Sequence, residues 1–586
     1  MTGTGHRVQF SCNGEQFEVD AAPGESLLSV LRERIGVVSP KDGCAPQGQC
    51  GCCTVLVDGE PRVACVTPMA RVAGKSVLTV EGLDAAVRDD LAARFVATGG
   101  SQCGFCTPGI LVRLAAAEAK GKTRRVDLDR ALAAHLCRCT GWQTIFEAIE
   151  APNARPATST AGRDPSAAAD RAELEGGGPQ LVGPLVPLGD GGFADDGAPR
   201  DALVAVPFPP GSTADAVDAA GSSWVVADSL LEARALAGKV QGRRTTVEPE
   251  PPLELPDLAP ADLRLADRGL GGVRLATSWV EPGYLEPDAS WCAPGGEPAT
   301  PLANGGAFGG KVVSPAGAAA RELADRTGRT VRVVFAREDV VRLGPKRPPM
   351  AATATFDGTV VHVRGTVVGD ATPFTAPIAW PYAVEERGEW TGTTALGPAT
   401  ASTLRAVGLA ERAVLLEGAL TVAHADRLTL VRDARGASVL LDSCVAVESG
   451  ALAGARVAVD DAGHVERVHV RVAAGDPLDD VVLRSYAIGA AHMALGWVLT
   501  EGLAVDPETG EVHDLTIRSF GILRAKDTPA IEVEIVDDPG APRARASDAV
   551  FAAVAAAAWN AVSDADGARP EMFPARETRA AAALRR

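Results

Sequence analysis

Residues 43–54 read GCAPQGQCGCCT, a short loop rich in glycine and glutamine that contains four cysteines. Together with a later cysteine they give the spacing C-x5-C-x2-C-x11-C, formed by Cys44, Cys50, Cys53 and Cys65. A common [2Fe–2S] spacing is C-x4-C-x2-C with a distant fourth cysteine, so only the first gap is longer here. The pattern therefore predicts a [2Fe–2S] cluster held by these four thiolates. Zinc is the alternative, although zinc sites usually show two separated C-x2-C pairs.

A second set of cysteines occurs in the segments SQCGFCTPG and HLCRCTGW, and its members are Cys103, Cys106, Cys137 and Cys139. A C-x2-C pair at the beginning of a helix meets the positive end of the helix dipole, which favours thiolate charge. This set predicts a second [2Fe–2S] cluster in an environment unlike the first. Cys52 belongs to neither pattern and is predicted to be a small buried residue.

Short strands and one helix are expected around the first cysteine loop. HRVQFSC and QFEVDA alternate apolar and polar residues on either side of Asn13 and Gly14, which predicts a β-hairpin. ESLLSVLRERIG predicts a helix with one leucine-rich face that ends before Gly36. TVLVDG and RVACV predict further strands. These elements together indicate a small β-grasp, ferredoxin-like domain.

Helices are expected around the second set. Thr107 can cap a helix whose first residue is Pro108. A second helix is predicted from about residue 127 to about residue 136, and it ends in the Cys-Arg-Cys segment. A third is predicted from about residue 142 to about residue 151. The second set therefore belongs to an all-helical domain.

Composition narrows the possible classes of protein. The chain has 586 residues, which predicts several domains, and a net charge of −18, which disfavours nucleic acid as a partner. Of 12 cysteines, ten lie at or before Cys139, and such clustering favours metal sites over a secreted disulfide framework. No basic segment followed by an apolar run opens the chain, and the longest apolar run, AVFAAVAAAAW, is too short to span a bilayer. A cytoplasmic protein without membrane insertion is predicted.

The motifs GCAPQGQCGCCTVLVDG, SQCGFCTPG and LCRCTG resemble the iron–sulfur module of the molybdenum hydroxylases, the xanthine dehydrogenase and aldehyde oxidase family. The resemblance covers residues 7 to about 152 and implies two [2Fe–2S] clusters that pass electrons between a molybdopterin centre and a flavin. It implies that the helical-domain cluster lies nearer the molybdenum and the ferredoxin-like cluster nearer the flavin. Gln102 is implied to touch the pterin, with a loop-capping role as the alternative.

The chain from about residue 196 onward resembles, more patchily, the molybdopterin-binding subunit of the same family, but it is much shorter. Its loop Gly305–Lys311, GGAFGGK, is similar to the family's glycine-rich loop, which implies that Phe308 is a cofactor-binding residue. The loop is not a phosphate-binding P-loop, because Val312 stands where serine or threonine is needed. The alternative is a tight turn that keeps the shape without the cofactor.

The carboxyl-terminal end departs from the family pattern. The resemblance implies a catalytic glutamate after a glycine and shortly before an alanine-rich helix, but here Gly540 is followed by Ala541, which cannot move a proton. No Gln-Gly-x-Gly run of the kind that wraps the pterin is found. A degenerate, non-catalytic domain is predicted, and no catalytic residue is assigned to this chain. His492 is predicted to be a core histidine, and the pair Glu338 and Asp339 a solvated face or cap.

The whole sequence predicts an α+β multidomain protein. Its parts are a β-grasp ferredoxin-like [2Fe–2S] domain, a four-helix [2Fe–2S]-binding domain, a linker, and a reduced α+β molybdopterin-binding-like region, at residues 1–82, 83–152, 153–195 and 196–586. The predicted function is an electron-transfer subunit that relays electrons from molybdopterin to FAD during hydroxylation of a purine, another N-heterocycle or an aldehyde. A molybdopterin-binding catalytic subunit and a FAD-binding subunit are predicted as partner chains. The alternatives are a self-contained molybdopterin-binding catalytic subunit and a structural adaptor.

Overall fold

The computed structural model describes residues 6–150, 163–178, 180–209, 212, 214–238, 247–258, 272–300, 306–425 and 442–584. The predicted hairpin is confirmed, since β1 (His6–Cys12) pairs antiparallel with β2 (Glu15–Ala21). Its turn uses the left-handed backbone region, with φ of 51° at Asn13 and 90° at Gly14, as such a tight turn requires.

The ferredoxin-like domain is completed by β3 (Thr54–Val57), β4 (Glu60–Val63) and β5 (Ser76–Leu78), in the sheet order β2-β1-β5-β3-β4. The predicted helix is α1 (Leu27–Ser29), which continues as a π-helix over Val30–Ile35. Ser26 caps its beginning, and Gly36 ends it with φ of 76°. The leucine-rich face is buried against the sheet, so the fold of this domain is as predicted.

Four helices form the next domain, also as predicted: α2 (Ala85–Thr98), α3 (Thr107–Glu118), α4 (Arg125–Ala131) and α5 (Gln143–Glu150). Two details differ. The helix α3 begins at Thr107 itself, and Cys106 occupies the cap position. The helix α4 ends at Ala131, five residues earlier than expected, and beyond it the amide of Leu136 donates to the carbonyl oxygen of Cys50 in the neighbouring domain.

The segment predicted as a linker contains a helix, α6 (Pro165–Gly176). Asp164 caps it by accepting a hydrogen bond from the amide of Ser166 at 2.8 Å. Two of its alanines and its buried ion pair, Arg171 with Glu175, face the carboxyl-terminal region. The low-complexity composition was therefore misleading here, since small residues permit close helix packing. Residues 153–162 lie outside the described part of the chain.

The remaining strands form three sheets, with the orders β10-β11-β6-β8-β7, β14-β13-β12-β9-β19 and β15-β16-β17-β18. The strands are β6 (Leu203–Pro207), β7 (Val217–Ala219), β8 (Ser222–Ala227), β9 (Gly272–Thr277), β10 (Ala289–Cys292), β11 (Val331–Val334), β12 (Met350–Phe356), β13 (Val360–Val368), β14 (Glu385–Thr393), β15 (Ser443–Ala446), β16 (Leu452–Val459), β17 (Val465–Ala473), β18 (Ala530–Ile535) and β19 (Met572–Phe573). The helices are α7 (Leu230–Ala237), α8 (Ala316–Thr327), α9 (Arg337–Leu343), α10 (Thr372–Thr375), α11 (Leu409–Val422), α12 (Asp480–Leu499), α13 (Ala546–Asp566) and α14 (Arg579–Leu584).

The helices α12 and α13 pack against each other in the core. Each is long and apolar enough to cross a membrane by length and composition, but 89% and 94% of their apolar windows are buried inside the protein. They are therefore core helices of the fold. His492 lies fully buried on α12, as predicted, and burial lowers its pKa to about 3.

Candidate iron–sulfur centres

The first cysteine loop is shaped by left-handed backbone conformations, with φ of 41° at Ala45, 69° at Gly48 and 74° at Gly51. These angles turn backbone amides toward the thiols. The sulfur of Cys44 accepts from the amides of Gln47 at 3.4 Å and of Gln49 at 3.5 Å. Such a concave arrangement of amides stabilises negative charge, which a thiolate ligand carries. The predicted ligands Cys44, Cys50, Cys53 and Cys65 are all buried.

The second set is held by helix ends and side chains. Cys103 and Cys106 stand just before α3, and Cys137 and Cys139 follow α4. The sulfur atoms of Cys103 and Cys139 lie 3.5 Å apart, and that of Cys137 lies 3.1 Å from the hydroxyl of Thr140. The helical packing brings together all four cysteines that the sequence predicted.

Crowding perturbs the pKa values of the thiols. Hydrogen bonds with the thiols of Cys50 and Cys65 lower the pKa of Cys44 well below its ordinary value. The same contacts raise the pKa of Cys50 and of Cys65. In the second set, the hydrogen bond with Cys106 lowers the pKa of Cys137 to about 6. Each set thus contains one thiol whose pKa is lowered by hydrogen bonds with its neighbours.

Both sets fit a two-iron cluster. A [2Fe–2S] cluster divides four thiolates between two iron atoms. The thiols of the second set approach one another in two pairs, Cys103 with Cys139 and Cys106 with Cys137, whereas in the first set Cys44 contacts both Cys50 and Cys65. Within the described ranges, no three histidine, cysteine or acidic side chains are placed to hold one metal ion together. A bound cluster would take up and release one electron. The assignment of individual ligands stays a prediction.

The two sets adjoin each other. The carbonyl oxygen of Cys50 accepts from the amide of Leu136 at 2.9 Å, and Leu136 is the residue before Cys137. A Cβ atom at Gly109 would lie 2.8 Å from the carbonyl oxygen of Cys52. The backbone of α3 therefore packs directly against the backbone of the first cysteine loop. Cys52 itself is fully buried at this contact, as predicted.

The carboxyl-terminal region holds the helical-domain set in place. Arg138, between two predicted ligands, is buried and forms a bidentate ion pair with the buried Glu501, with one N–O distance of 2.8 Å. Sequence reasoning missed this pair. A buried arginine needs a carboxylate partner, so the arginine of the Cys-Arg-Cys segment was the available sequence signal that such a pair exists. The position of Arg138 in the sequence does not reveal that its partner is Glu501.

Gln102 is buried, and its amide nitrogen donates to the carbonyl oxygen of Cys139 at 2.9 Å and to the hydroxyl of Ser485 at 3.0 Å. The contact with a pterin that the resemblance implies stays a prediction, and the loop-capping alternative describes the bonds observed. The helix α12 packs directly on this segment. The approach is so close that a side chain at Gly489 would collide with the carbonyl oxygen of Cys139.

Phe308 lies in the glycine-rich loop with φ of 57°, and its ring packs 4.7 Å from the guanidinium of Arg405. Gly305, at the beginning of this loop, lies outside the described residues. Two cavities next to Phe308 measure about 30 and about 20 Å³. They are too small for a molybdopterin cofactor, since small-molecule sites usually have about 300 Å³ or more. The described residues around Phe308, as packed, therefore do not fit that cofactor.

Ala541 occupies an exposed loop between β18 and α13, against the backbone of Gly475. Ala541 is exposed whereas Phe308 is buried, and the alanine side chain carries no acid–base group. Glu338 and Asp339 differ from the sequence expectation, because both are buried. Asp339 caps α9, which is one of the two roles that the sequence predicted for this pair. Glu338 instead accepts a hydrogen bond from Gln47 of the first cysteine loop at 3.0 Å.

Comparison with known proteins agrees with this geometry. Residues 10–78 match the 2Fe-2S iron-sulfur cluster binding domain, and residues 79–150 match the [2Fe-2S] binding domain. The chain is 38% identical over 146 residues to the xanthine dehydrogenase iron-sulfur-binding subunit of Escherichia coli O157:H7, covering 24% of this chain and 91% of that protein. It is 37% identical over 144 residues to the isoquinoline 1-oxidoreductase subunit alpha of Brevundimonas diminuta, covering 24% and 94%.

Among solved structures, the chain matches the aldehyde oxidoreductase from Desulfovibrio gigas with a TM-score of 0.74 and 16% identity, over 97% of this chain and 99% of that one. The aldehyde oxidoreductase from Desulfovibrio desulfuricans matches with a TM-score of 0.70 and 16% identity, over the same shares. The fold and the paired cysteine sets define a protein with two [2Fe–2S]-binding domains. The chain belongs to the molybdenum hydroxylase family of xanthine dehydrogenase and aldehyde oxidase, with the iron–sulfur module fused to a carboxyl-terminal region.

The prediction of separate partner chains is wrong. A molybdopterin-binding catalytic subunit was expected because the carboxyl-terminal region is short and lacks the glutamate, and a FAD-binding subunit because the sequence shows no flavin domain. This single chain instead has, over 97% of its length, the fold of a single aldehyde oxidoreductase chain, which it covers to 99%. The length of the region therefore does not imply that a domain is missing.

Proposed function

We propose that this chain is an electron-transfer oxidoreductase in which two [2Fe–2S] clusters form a relay. The hydrogen bond from the amide of Leu136 to the carbonyl oxygen of Cys50 is the observation that carries this proposal. The proposed ligands are Cys44, Cys50, Cys53 and Cys65 for one cluster and Cys103, Cys106, Cys137 and Cys139 for the other.

The hydrogen bond makes a short connection between the two sets. On one side, the accepting carbonyl group belongs to Cys50, whose sulfur is a proposed ligand of the ferredoxin-like cluster. On the other side, Leu136 is bonded covalently to Cys137, which carries a ligand sulfur of the second set. A continuous route of covalent bonds and one hydrogen bond thus joins a proposed ligand sulfur of one set to a proposed ligand sulfur of the other. A relay of two one-electron centres suits a two-electron oxidoreductase, because it releases the electrons singly.

The carboxyl-terminal region supports the relay by fixing the two domains relative to each other. The ferredoxin-like domain is fixed by Arg32, which pairs with Asp195 at 2.7 Å and with Asp196 at 2.8 Å. The helical domain is fixed by the ion pair of Arg138 with Glu501. Both arginines are buried, so breaking either contact would leave a buried charge without its partner.

Rapid-freeze electron paramagnetic resonance tests the relay. One electron equivalent is added per chain, and the spectra of the two reduced centres are followed in time. We expect the electron to redistribute between two signals within a single molecule, at a rate independent of protein concentration. A concentration-dependent redistribution would contradict the relay. The Cys53→Ser variant, with one remaining signal, provides the reference spectrum.

A second candidate function is that the same chain also binds molybdopterin and hydroxylates an N-heterocycle or aldehyde. The match to aldehyde oxidoreductases over the whole chain favours it, and the closed packing around Phe308 opposes it. Molybdenum analysis of the purified chain separates the two candidates: about one molybdenum per chain supports this second function, and none supports the relay alone.

A further inference from the structure

The side chain of Gln47, three residues after Cys44 in the first cysteine loop, is anchored at all its polar atoms. Its Nε2 donates to Oε1 of Glu338 at 3.0 Å and to the carbonyl oxygen of Leu515 at 3.2 Å. Its Oε1 accepts from the backbone amide of Ile517 at 3.2 Å. A glutamine amide has two N–H donors and one carbonyl acceptor, so every polar group of this side chain is used. Two separate segments of the carboxyl-terminal region therefore hold it.

The backbone amide of the same residue faces a proposed ligand. It donates to the sulfur of Cys44 at 3.4 Å, and the amide of Gln49 donates to that sulfur at 3.5 Å. The intervening Gly48 has φ of 69°, and glycine rotates more freely than any other residue. The loop by itself therefore does not fix the direction of the Gln47 amide, whereas the anchored side chain does.

The amide directions matter for electron uptake. Reduction of a two-iron cluster adds one negative charge, and an N–H group directed at a ligand sulfur stabilises that charge. Hydrogen bonds to the sulfur atoms are among the features that set the reduction potential of such clusters. Groups that orient a ligand from behind adjust a metal centre in the same indirect way.

Gln49 provides an internal comparison within the loop. It is partly buried, as Gln47 is, and its backbone amide contacts the same sulfur. The carbonyl oxygen of its side chain, however, is buried without a hydrogen-bond partner in the described part of the chain. The two glutamines thus share a residue type, a loop and a backbone contact, but they differ in the anchoring of the side-chain carbonyl.

We propose that Gln47 is a positioning residue that raises the reduction potential of the ferredoxin-like centre by holding its own backbone amide on the sulfur of Cys44. The proposal rests on the two-cluster relay, because it needs a cluster at this set of cysteines. Through Gln47, the carboxyl-terminal region influences how readily the ferredoxin-like centre takes an electron from its neighbour.

The variant Gln47→Met tests this role, since methionine has a similar length but makes none of the three anchoring bonds. The potentials of both centres are measured in the full-length chain by redox titration with electron paramagnetic resonance. We expect the equilibrium constant for reduction of the ferredoxin-like centre to fall about tenfold, which corresponds to about 59 mV for one electron. The potential of the helical-domain centre should stay the same. Gln49→Met is the matched control and should leave both potentials unchanged.

A spectroscopic measurement separates positioning from a general loss of stability. The chain is exchanged into deuterated water, and pulsed electron–nuclear double resonance records the deuterons that are hydrogen-bonded to the reduced ferredoxin-like centre. One such coupling should weaken or disappear in Gln47→Met and persist in Gln49→Met. A residue that only stabilised the fold would lower the unfolding midpoint without moving the potential or this coupling.

The milder variant Gln47→Asn keeps the amide group on a shorter side chain, so its potential should lie between those of the unmodified chain and Gln47→Met. Unchanged potentials in both Gln47 variants, or equal shifts in Gln47→Met and Gln49→Met, would overturn the positioning role while the relay stands. Loss of the ferredoxin-like signal in both Gln47 variants would show that Gln47 serves cluster assembly and would also overturn it. If the unmodified chain lacks that signal, the relay itself fails.

Discussion

The two cysteine-bearing domains hold their proposed clusters by different physical means. In the ferredoxin-like domain, left-handed backbone at Ala45, Gly48 and Gly51 turns amides toward the sulfur of Cys44. In the helical domain, helix ends place the thiols, and a contact from the distant Glu501 holds the segment between them. The thiols of the first set are therefore oriented by amides of their own loop, whereas those of the second are placed by packed helix ends. Both segments also contact the carboxyl-terminal region, through Gln47 with Glu338 and through Arg138 with Glu501.

Loss of a ligand should produce the largest effect and should separate the two domains most clearly. Cys53→Ser should remove the ferredoxin-like cluster and half of the iron, while the helical-domain signal remains. Cys106→Ser should do the reverse, because each cluster needs four ligands. Iron analysis and electron paramagnetic resonance measure both results. Cys292→Ser, at a buried cysteine far along the chain, is the control and should keep all the iron. If either ligand variant lost both signals, the two centres would not be independent.

The same contrast explains what the sequence could reveal. The hairpin at Asn13 and the helix before Gly36 rest on patterns of neighbouring residues, and the structure contains both, although the π-helical second half of the helix was not predicted. The cysteine sets were also found from their spacing, and their role as ligands stays a prediction. Local signals of this kind need no knowledge of the tertiary fold. The boundaries that depended on distant contacts were less predictable. The helix α4, for example, was predicted to reach residue 136, but it ends at Ala131, and Leu136 binds Cys50 of the other domain.

The carboxyl-terminal contribution to the site was not predictable. Glu338 was interpreted as a solvated or capping residue, but it binds Gln47, which is 291 positions earlier in the chain. Glu501 binds Arg138 across 363 positions. Charged side chains give the same sequence signal whether they are solvated or buried in a pair, so their partners emerge only from the fold. The helix at residues 165–176 was missed for a similar reason, since tertiary packing of small residues overrides a low-complexity composition.

The ion pair of Arg138 with Glu501 should give the second-largest effect. Arg138→Met leaves a buried carboxylate without its partner, which should cost about 3–5 kcal/mol of unfolding free energy. We expect denaturant unfolding to show this loss and the helical-domain signal to weaken before the ferredoxin-like one. Arg124→Met is the control in the same domain: its side chain is 80% exposed, so its pair with Asp127 should contribute about 1 kcal/mol or less. Equal losses in the two variants would contradict the anchoring role of Arg138.

A smaller effect is expected at the contact between the two domains. Gly109→Ala would push a methyl group against the backbone of Gly51 and Cys52, which should cost about 1–3 kcal/mol and slow electron exchange between the centres. Iron content should stay complete. Gly183→Ala, where no heavy atom lies within 4 Å of the new methyl group, should change neither quantity. Unchanged exchange in Gly109→Ala, despite lower stability, would mean that this contact does not set the transfer rate.

Cys52→Ala should give the smallest effect. Cys52 lies buried between the two sets, but its thiol has no ligand role in the proposed assignment. Removing one sulfur atom leaves a small cavity, so a modest loss of stability of about 1 kcal/mol is expected, with the iron content unchanged. Loss of half of the iron would show instead that Cys52 is a ligand and that the ferredoxin-like set must be reassigned.

Two independent [2Fe–2S] centres in one chain are the central claim, and a quantitative reductive titration tests it most directly. The full-length chain is titrated with dithionite, and the paramagnetic signals are integrated against total iron. The account predicts two distinct signals that integrate to about two electron spins per chain, with different reduction potentials, because backbone amides surround one set and helix ends and buried side chains surround the other. A single signal that integrates to about one spin per chain would contradict it.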